Sequence, residues 1–185
     1  LYSTCGKYLI IFNGEIYNFQ KLKNDLIDCG YKFNTETDTE VVLNGFIEYR
    51  EGVANKLSGM FAFSIYDIEK DLVFFARDRS GIKPLYYSFN QKNLLVSSEV
   101  RVFKSRSKKV SLDAKVLFML FGSVPEPYTI YEDVFSFPSG SYAYLKDNNF
   151  DFKYYSEYNF KSVEINSYSQ ITSNILDLLE NSVKS

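Results

Sequence analysis

The chain has 185 residues and a formal net charge of −2, a balance that gives no electrostatic reason to expect nucleic acid or an anionic membrane as partner. It contains no histidine, and its two cysteines, Cys5 and Cys29, lack metal-ligand spacing, so a zinc-type site is not expected. No apolar run approaches the roughly 20 residues of a membrane span, and the length suits one domain with a sizeable core.

Residues 1–7 are polar, and Cys5-Gly6 reads as a hairpin tip leading into the apolar run Tyr8-Leu9-Ile10-Ile11-Phe12, a buried strand. Asn13-Gly14 directly after it is a turn signal, and Asn18 stands where a helix N-cap would be. A strand ending at Asn-Gly presents a side-chain amide and a backbone N–H together, a pair suited to a developing oxyanion. The ordinary alternative is a simple strand–helix turn.

Phe19, Leu22, Leu26 and Ile27 recur at helical spacing, with Gly30 as terminator and Cys29 in the core. Thr37-Asp38-Thr39-Glu40 fits a capping box, Thr37 as N-cap and Glu40 reaching back from N3. Val42, Leu43, Phe46, Ile47 and Tyr49 form the buried stripe of the next helix, ended by Arg50-Glu51-Gly52.

Four strand candidates follow, at residues 60–66, 72–76, 84–89 and 94–98, joined by polar turns at 67–71 and 90–93. Arg77, Asp78, Arg79 and Lys83 read as a structural charged turn, and Glu99 as a strand end. Residues 105–109 are a basic, Ser-rich loop, 113–121 a short helix and 122–129 an extended connection. Residues 142–146 and 152–155 are two more strands around an Asn148-Asn149 turn. Ile171, Ile175, Leu178, Leu179 and Val183 mark a last helix. The 17 Phe and 16 Tyr suit a sheet-rich core. Hairpin-spaced strands after two helices argue for an α+β layered domain, not a parallel βαβ fold.

In that order, Phe12-Asn13-Gly14-Glu15-Ile16-Tyr17-Asn18, Thr37-Asp38-Thr39-Glu40, Leu57-Ser58-Gly59-Met60-Phe61-Ala62-Phe63, the run Arg77-Asp78-Arg79-Ser80-Gly81-Ile82-Lys83-Pro84-Leu85-Tyr86-Tyr87, and Ser97-Ser98-Glu99 resemble the class II glutamine amidotransferases. Within that group the chain is most similar to the glutaminase domain of the glutamine-hydrolysing asparagine synthetases. The resemblance implies a four-layer αββα sandwich of the N-terminal nucleophile hydrolase type, with largely antiparallel sheets. It implies an amidotransferase domain over residues 1–146, then a connection and the first helix of an ATP-binding synthetase domain over 147–185.

It further implies that an N-terminal cysteine attacks L-glutamine, its own α-amino group serving as base. Asn13 and Gly14 would be the oxyanion donors and Asp38 the acceptor for the glutamine α-ammonium. Glu15 would line the pocket or order the turn. Arg77 to Lys83 would support the sheet. Cys5-Gly6 imitates the family's opening Cys-Gly, but it lies too close to the Asn-Gly strand and is not the first residue, so Cys5 is not the expected nucleophile.

The chain starts without an initiator Met and stops inside a helical pattern, and so reads as a fragment, expected to be inactive alone. ATP and Mg²⁺ would belong to the synthetase domain, which is also the implied partner, with a homodimer left open and the reducing cytoplasm as the location. Two other readings stand beside this one: an amidotransferase for a sugar or another carboxylate, and a non-catalytic glutamine-binding module.

Overall fold

The computed structural model describes residues 1–90, 93–105, 109–146, 149–156 and 167–184. In chain order it comprises β1 (Tyr8–Ile16), α1 (Phe19–Asp28), α2 (Asp38–Tyr49), α3 (Val53–Lys56), β2 (Gly59–Asp67), β3 (Leu72–Arg77), β4 (Tyr86–Asn90), β5 (Asn93–Ser97), α4 (Leu112–Phe121), β6 (Phe135–Ser136), β7 (Ser141–Lys146), β8 (Asn149–Tyr154) and α5 (Tyr168–Lys184). A five-stranded sheet has the order β1-β2-β3-β7-β8, and a three-stranded sheet the order β5-β4-β6. Every pairing of these strands is antiparallel.

Strand alternation sorts the large sheet into two faces. Tyr8, Ile10 and Ile16, then Phe61, Phe63 and Ile65, then Phe74 and Ala76, pack with Leu22 and Leu26 of α1 and Val42, Leu43 and Phe46 of α2. The intervening residues Ala62, Phe75 and Ala143 face the other way, onto Leu85, Tyr87, Leu94 and Val96 of the small sheet and its approach. The layers are therefore helix pair, large sheet and small sheet. Burial of each such Phe or Leu contributes about 1.5–3 kcal/mol, so period-2 alternation on three strands specifies the register.

Several expectations are corrected here. The Asn13-Gly14 pair is not a turn: β1 runs through it to Ile16, with Asn13 opposite Ala62 and Gly14 opposite Phe61. Nine cross-strand partners outweigh a local turn preference. Asn18 accepts no side-chain cap bond; its amide bridges the Lys56 carbonyl and the Ser58 N–H, each at 2.9 Å. Cys29 is exposed, because it follows the last residue of α1. The large sheet also passes the boundary expected at residue 146, since β8 pairs with β7 and brings Phe150 and Phe152 onto the inter-sheet core.

Helix α4 buries only Ala114 and exposes Leu112, Phe118, Met119, Leu120 and Phe121. In α5 the expected stripe forms, but Ile175, Leu178, Leu179 and Val183 are exposed. Residues 91–92 of the turn at 90–93, residues 106–108 of the basic loop and Asn148 of the Asn148-Asn149 turn lie outside the described residues. No described helix is long and apolar enough to cross a membrane.

Candidate functional site

The site is built on the outer edge of β1. In an antiparallel strand the backbone groups of alternate residues point to opposite sides. The Tyr17 N–H donates to Ser58, on the β2 side, at 2.8 Å. The Ile10 N–H points away from β2, to the Leu1 carbonyl at 2.9 Å, and the Ile16 N–H points the same way, to Asp38 Oδ2 at 3.1 Å. Gly14 lies between them with the same parity, so its N–H also faces the outer edge. There β1 has no partner strand alongside Phe12 and Gly14 among the described residues.

Gly14 is required by space. A Cβ there would fall on the Met60 carbonyl oxygen and stand 2.8 Å from Phe61 Cα. Gly59 answers it across the ladder, at φ +151°, where a Cβ would collide with the Glu15 carbonyl. These two close approaches let β1 and β2 press together at the end of the strand that carries the site.

Asn13 points to the other face, half-buried, into a cleft of about 110 Å³ between the sheets, lined by Ile11, Ala62, Ser64, Leu85 and Val96 among others. Glu15 shares that parity but is exposed. Asp38 opens α2 in the first turn, its Oδ2 on Ile16 and its Oδ1 3.5 Å from the Thr39 hydroxyl. The fold thus brings Gly14 and Asp38 to one strand edge and leaves Asn13 beside it on the inter-sheet face.

Cys5 is elsewhere. Its hairpin is closed by Ser3 and Tyr8 and by the Tyr2–Leu9 bridge, with the tip pointing away from Asn13. From Tyr8 to Gly14 the strand advances ~20 Å at its usual rise. The Ser3 hydroxyl, 3.3 Å from Sγ, holds the exposed thiol below its ordinary range, but the thiol lies beyond the opposite end of β1 from Gly14.

The capping box is not formed as expected. Thr37 has the extended backbone of an N-cap but makes no side-chain cap bond. Glu40 turns away from Thr37 and takes the Asn34 and Thr35 N–H groups. Sequence spacing pointed to Glu40, though not to this partner.

A residue profile described as the glutamine amidotransferase domain matches residues 1–156. The chain belongs to the glutamine amidotransferase family. It is 41% identical over 160 residues to asparagine synthetase [glutamine-hydrolyzing] 1 of Bacillus subtilis (strain 168), a match covering 85% of this chain and 25% of that protein. It is 33% identical over 192 residues to asparagine synthetase B of Escherichia coli (strain K12), which covers 100% of this chain and 29% of that protein. The amidotransferase chain therefore spans between a quarter and a third of the length of these relatives. Among solved structures, the glutamine phosphoribosylpyrophosphate amidotransferase of B. subtilis superposes with a TM-score of 0.58 at 21% identity, over 84% of this chain and 31% of that one. That likeness shows the fold, an α+β fold of the N-terminal nucleophile hydrolase type.

Behind this strand edge, Arg77 and Asp78 tie the sheets together. Asp78 accepts the N–H groups of Ser80 and Ile82 on Oδ1 and of Phe61 and Lys83 on Oδ2. Arg77 donates to the carbonyls of Gly81, Lys83 and Phe137, to the Ser136 hydroxyl and to Glu126. Both residues are buried and spent on structure. Tyr155 donates to the Arg77 carbonyl at 2.8 Å, and burial pushes its phenol up. Glu99 is exposed and paired with Arg101.

Proposed function

We propose that this domain is the glutamine-hydrolysing part of an ATP-dependent asparagine synthetase, releasing ammonia from L-glutamine for the amidation of L-aspartate. The observation that carries the reading is the strand edge shared by the Gly14 N–H and the Asp38 carboxylate. Two residues of strand separate Gly14 from Ile16, ~6.7 Å. An extended glutamine spans ~5 Å from its amide carbon to its α-nitrogen at ordinary bond lengths. One ligand lying along the edge reaches both groups.

In this reading Asp38 holds the α-ammonium through a charge-assisted bond. The Gly14 N–H and the Asn13 amide take the negative charge that develops on the carboxamide oxygen. Glu15 borders the ligand from the inter-sheet face. The nucleophile is a cysteine upstream of Leu1 in the intact protein, whose α-amino group takes the thiol proton and returns it to the departing ammonia. ATP and Mg²⁺ belong to a C-terminal synthetase domain of the same chain, of which α5 is the first helix. Exposed thiols at Cys5 and Cys29 suit a reducing cytoplasm. A homodimer is an outcome that sedimentation of the intact protein would read.

The test is asparagine synthesis by the intact protein with either glutamine or free ammonia as nitrogen donor. Asp38→Ala is expected to impair the first and spare the second. Equal loss of both, or no glutamine use by the unmodified protein, overturns the reading.

A further inference from the structure

The loop that enters α2 closes on one buried carboxylate. Glu40 is only 5% exposed. The Asn34 N–H donates to its Oε1 at 2.9 Å and its Oε2 at 3.1 Å. The Thr35 N–H donates to Oε2 at 2.6 Å and the Thr35 hydroxyl at 2.7 Å. A carboxylate this deep is tolerated because those donors replace water.

The next residues of the loop are fastened separately. Lys23, buried on α1, pairs with Glu36 at 2.6 Å and lies 5.3 Å from the Phe33 ring. Residues 33–36 are thus held to both helices before the chain turns into Asp38. Asp38 and Glu40 share the first turn of α2, where hydrogen-bonded backbone fixes their relative positions. Asp38 in turn is hydrogen-bonded to β1 through the Ile16 N–H. Loop, Glu40, Asp38 and strand edge form one continuous chain of contacts.

We propose that Glu40 is a positioning residue for glutamine recognition: by clamping the backbone of Asn34 and Thr35 onto the first turn of α2, it sets where Asp38 presents its carboxylate on the β1 edge. This rests on the reading of Asp38 as the ammonium acceptor. Glu40 itself does not touch the ligand.

The test uses the intact protein and two readouts. Glu40→Gln keeps the shape but replaces an acceptor oxygen with a donor facing N–H and O–H groups. Leu26→Ala weakens the same helix layer without touching the loop, and serves as the comparison. By amide hydrogen exchange, Glu40→Gln is expected to speed exchange of Asn34, Thr35 and Ile16 by ~10-fold or more relative to the amides of β2, as loss of bonds to a charged acceptor implies. Leu26→Ala is expected to leave that ratio unchanged. In kinetics, Glu40→Gln is expected to raise the KM for glutamine ~10-fold, with kcat and ammonia-dependent synthesis retained.

Faster exchange at Asn34 and Thr35 with Ile16 unchanged overturns the proposal, since the clamp would then not reach Asp38. So does an unchanged KM in a protein that consumes glutamine. If the unmodified protein consumes no glutamine, the functional reading falls, while exchange at Ile16 still decides whether Glu40 positions Asp38. Should Glu40→Gln fail to fold, Thr35→Val removes one of the four bonds. A smaller acceleration at Ile16 then supports the proposal, and none overturns it.

Discussion

Asp38 and Ile16, 22 positions apart in the chain, are joined by a hydrogen bond of 3.1 Å from the Ile16 N–H to Asp38 Oδ2. It fastens the start of α2 to the end of β1 and turns a carboxylate toward the strand edge that also carries the Gly14 N–H. Asp38→Ala removes the fastening and, in the function proposed above, the ammonium acceptor. A bond between ions or to an ion is worth about 1.5–3 kcal/mol, so the KM for glutamine is expected to rise ~10–100-fold. Steady-state kinetics with glutamine and with ammonia checks this, the ammonia arm reporting on the rest of the protein.

Asn13 is half-buried beside a cleft, and no hydrogen bond joins its side chain to a described residue. Asn13→Ala is therefore expected to leave the melting temperature nearly unchanged. Its loss should appear in kcat for glutamine hydrolysis, falling ~10²–10³-fold, as when one oxyanion donor is removed. A change confined to KM would assign Asn13 to binding instead.

Gly14→Ala should fail for a different reason. The new methyl would lie against the Met60 carbonyl and Phe61, both in the paired backbone of β2. Neither can move without opening the ladder, so a loss of about 1–3 kcal/mol is expected from overpacking. Urea unfolding of the variant measures it.

Arg77→Met would strand the carbonyls of Gly81, Lys83 and Phe137 and leave Glu126 without its cation. Removing one partner of a buried ion pair costs about 3–5 kcal/mol. The lower end is expected because Glu126 retains partial contact with water. Thermal unfolding should show the loss, with glutamine binding affected only as far as folding is.

Glu40 gives a pH signature. Burial pushes its carboxyl up, but the N–H groups of Asn34 and Thr35, the Thr35 hydroxyl and Lys23 together outweigh that and hold it below the usual 4.5. A carboxyl depressed in the folded state binds its proton less readily there than in the unfolded chain. Its stabilisation is thus complete above pH 4.5 and is lost as pH falls through the lower folded value. The stability difference between the unmodified protein and Glu40→Gln should be constant near neutrality and shrink below pH 4.5. Denaturant titrations at stepped pH would show it, and a difference that grows on acidification would reverse the assignment.

Periodicity and punctuation determined much of this protein. Leu22 and Leu26 at helical spacing, the stripe through Val42 and Phe46, and the alternation of Phe61, Phe63, Phe74 and Ala76 are local patterns, and each face they define is the face that is buried. The ordered motifs around Asn13, Asp38, Gly59 and Arg77 named the family for the same reason: they are contiguous in the chain. What the tertiary structure decided depends on partners far away in sequence. Asn13-Gly14 reads locally as a turn, and becomes strand because β2 supplies Ala62 and Phe61 opposite it. Cys29 continues an apolar stripe but emerges past the end of its helix into solvent. Thr37 and Glu40 have capping-box spacing, yet Glu40 takes the N–H groups of Asn34 and Thr35, while the Thr37 N–H goes to the Thr35 hydroxyl. Spacing sets which side chains share a face; which donor finds which acceptor is settled only when the layers close and buried polar groups must find partners.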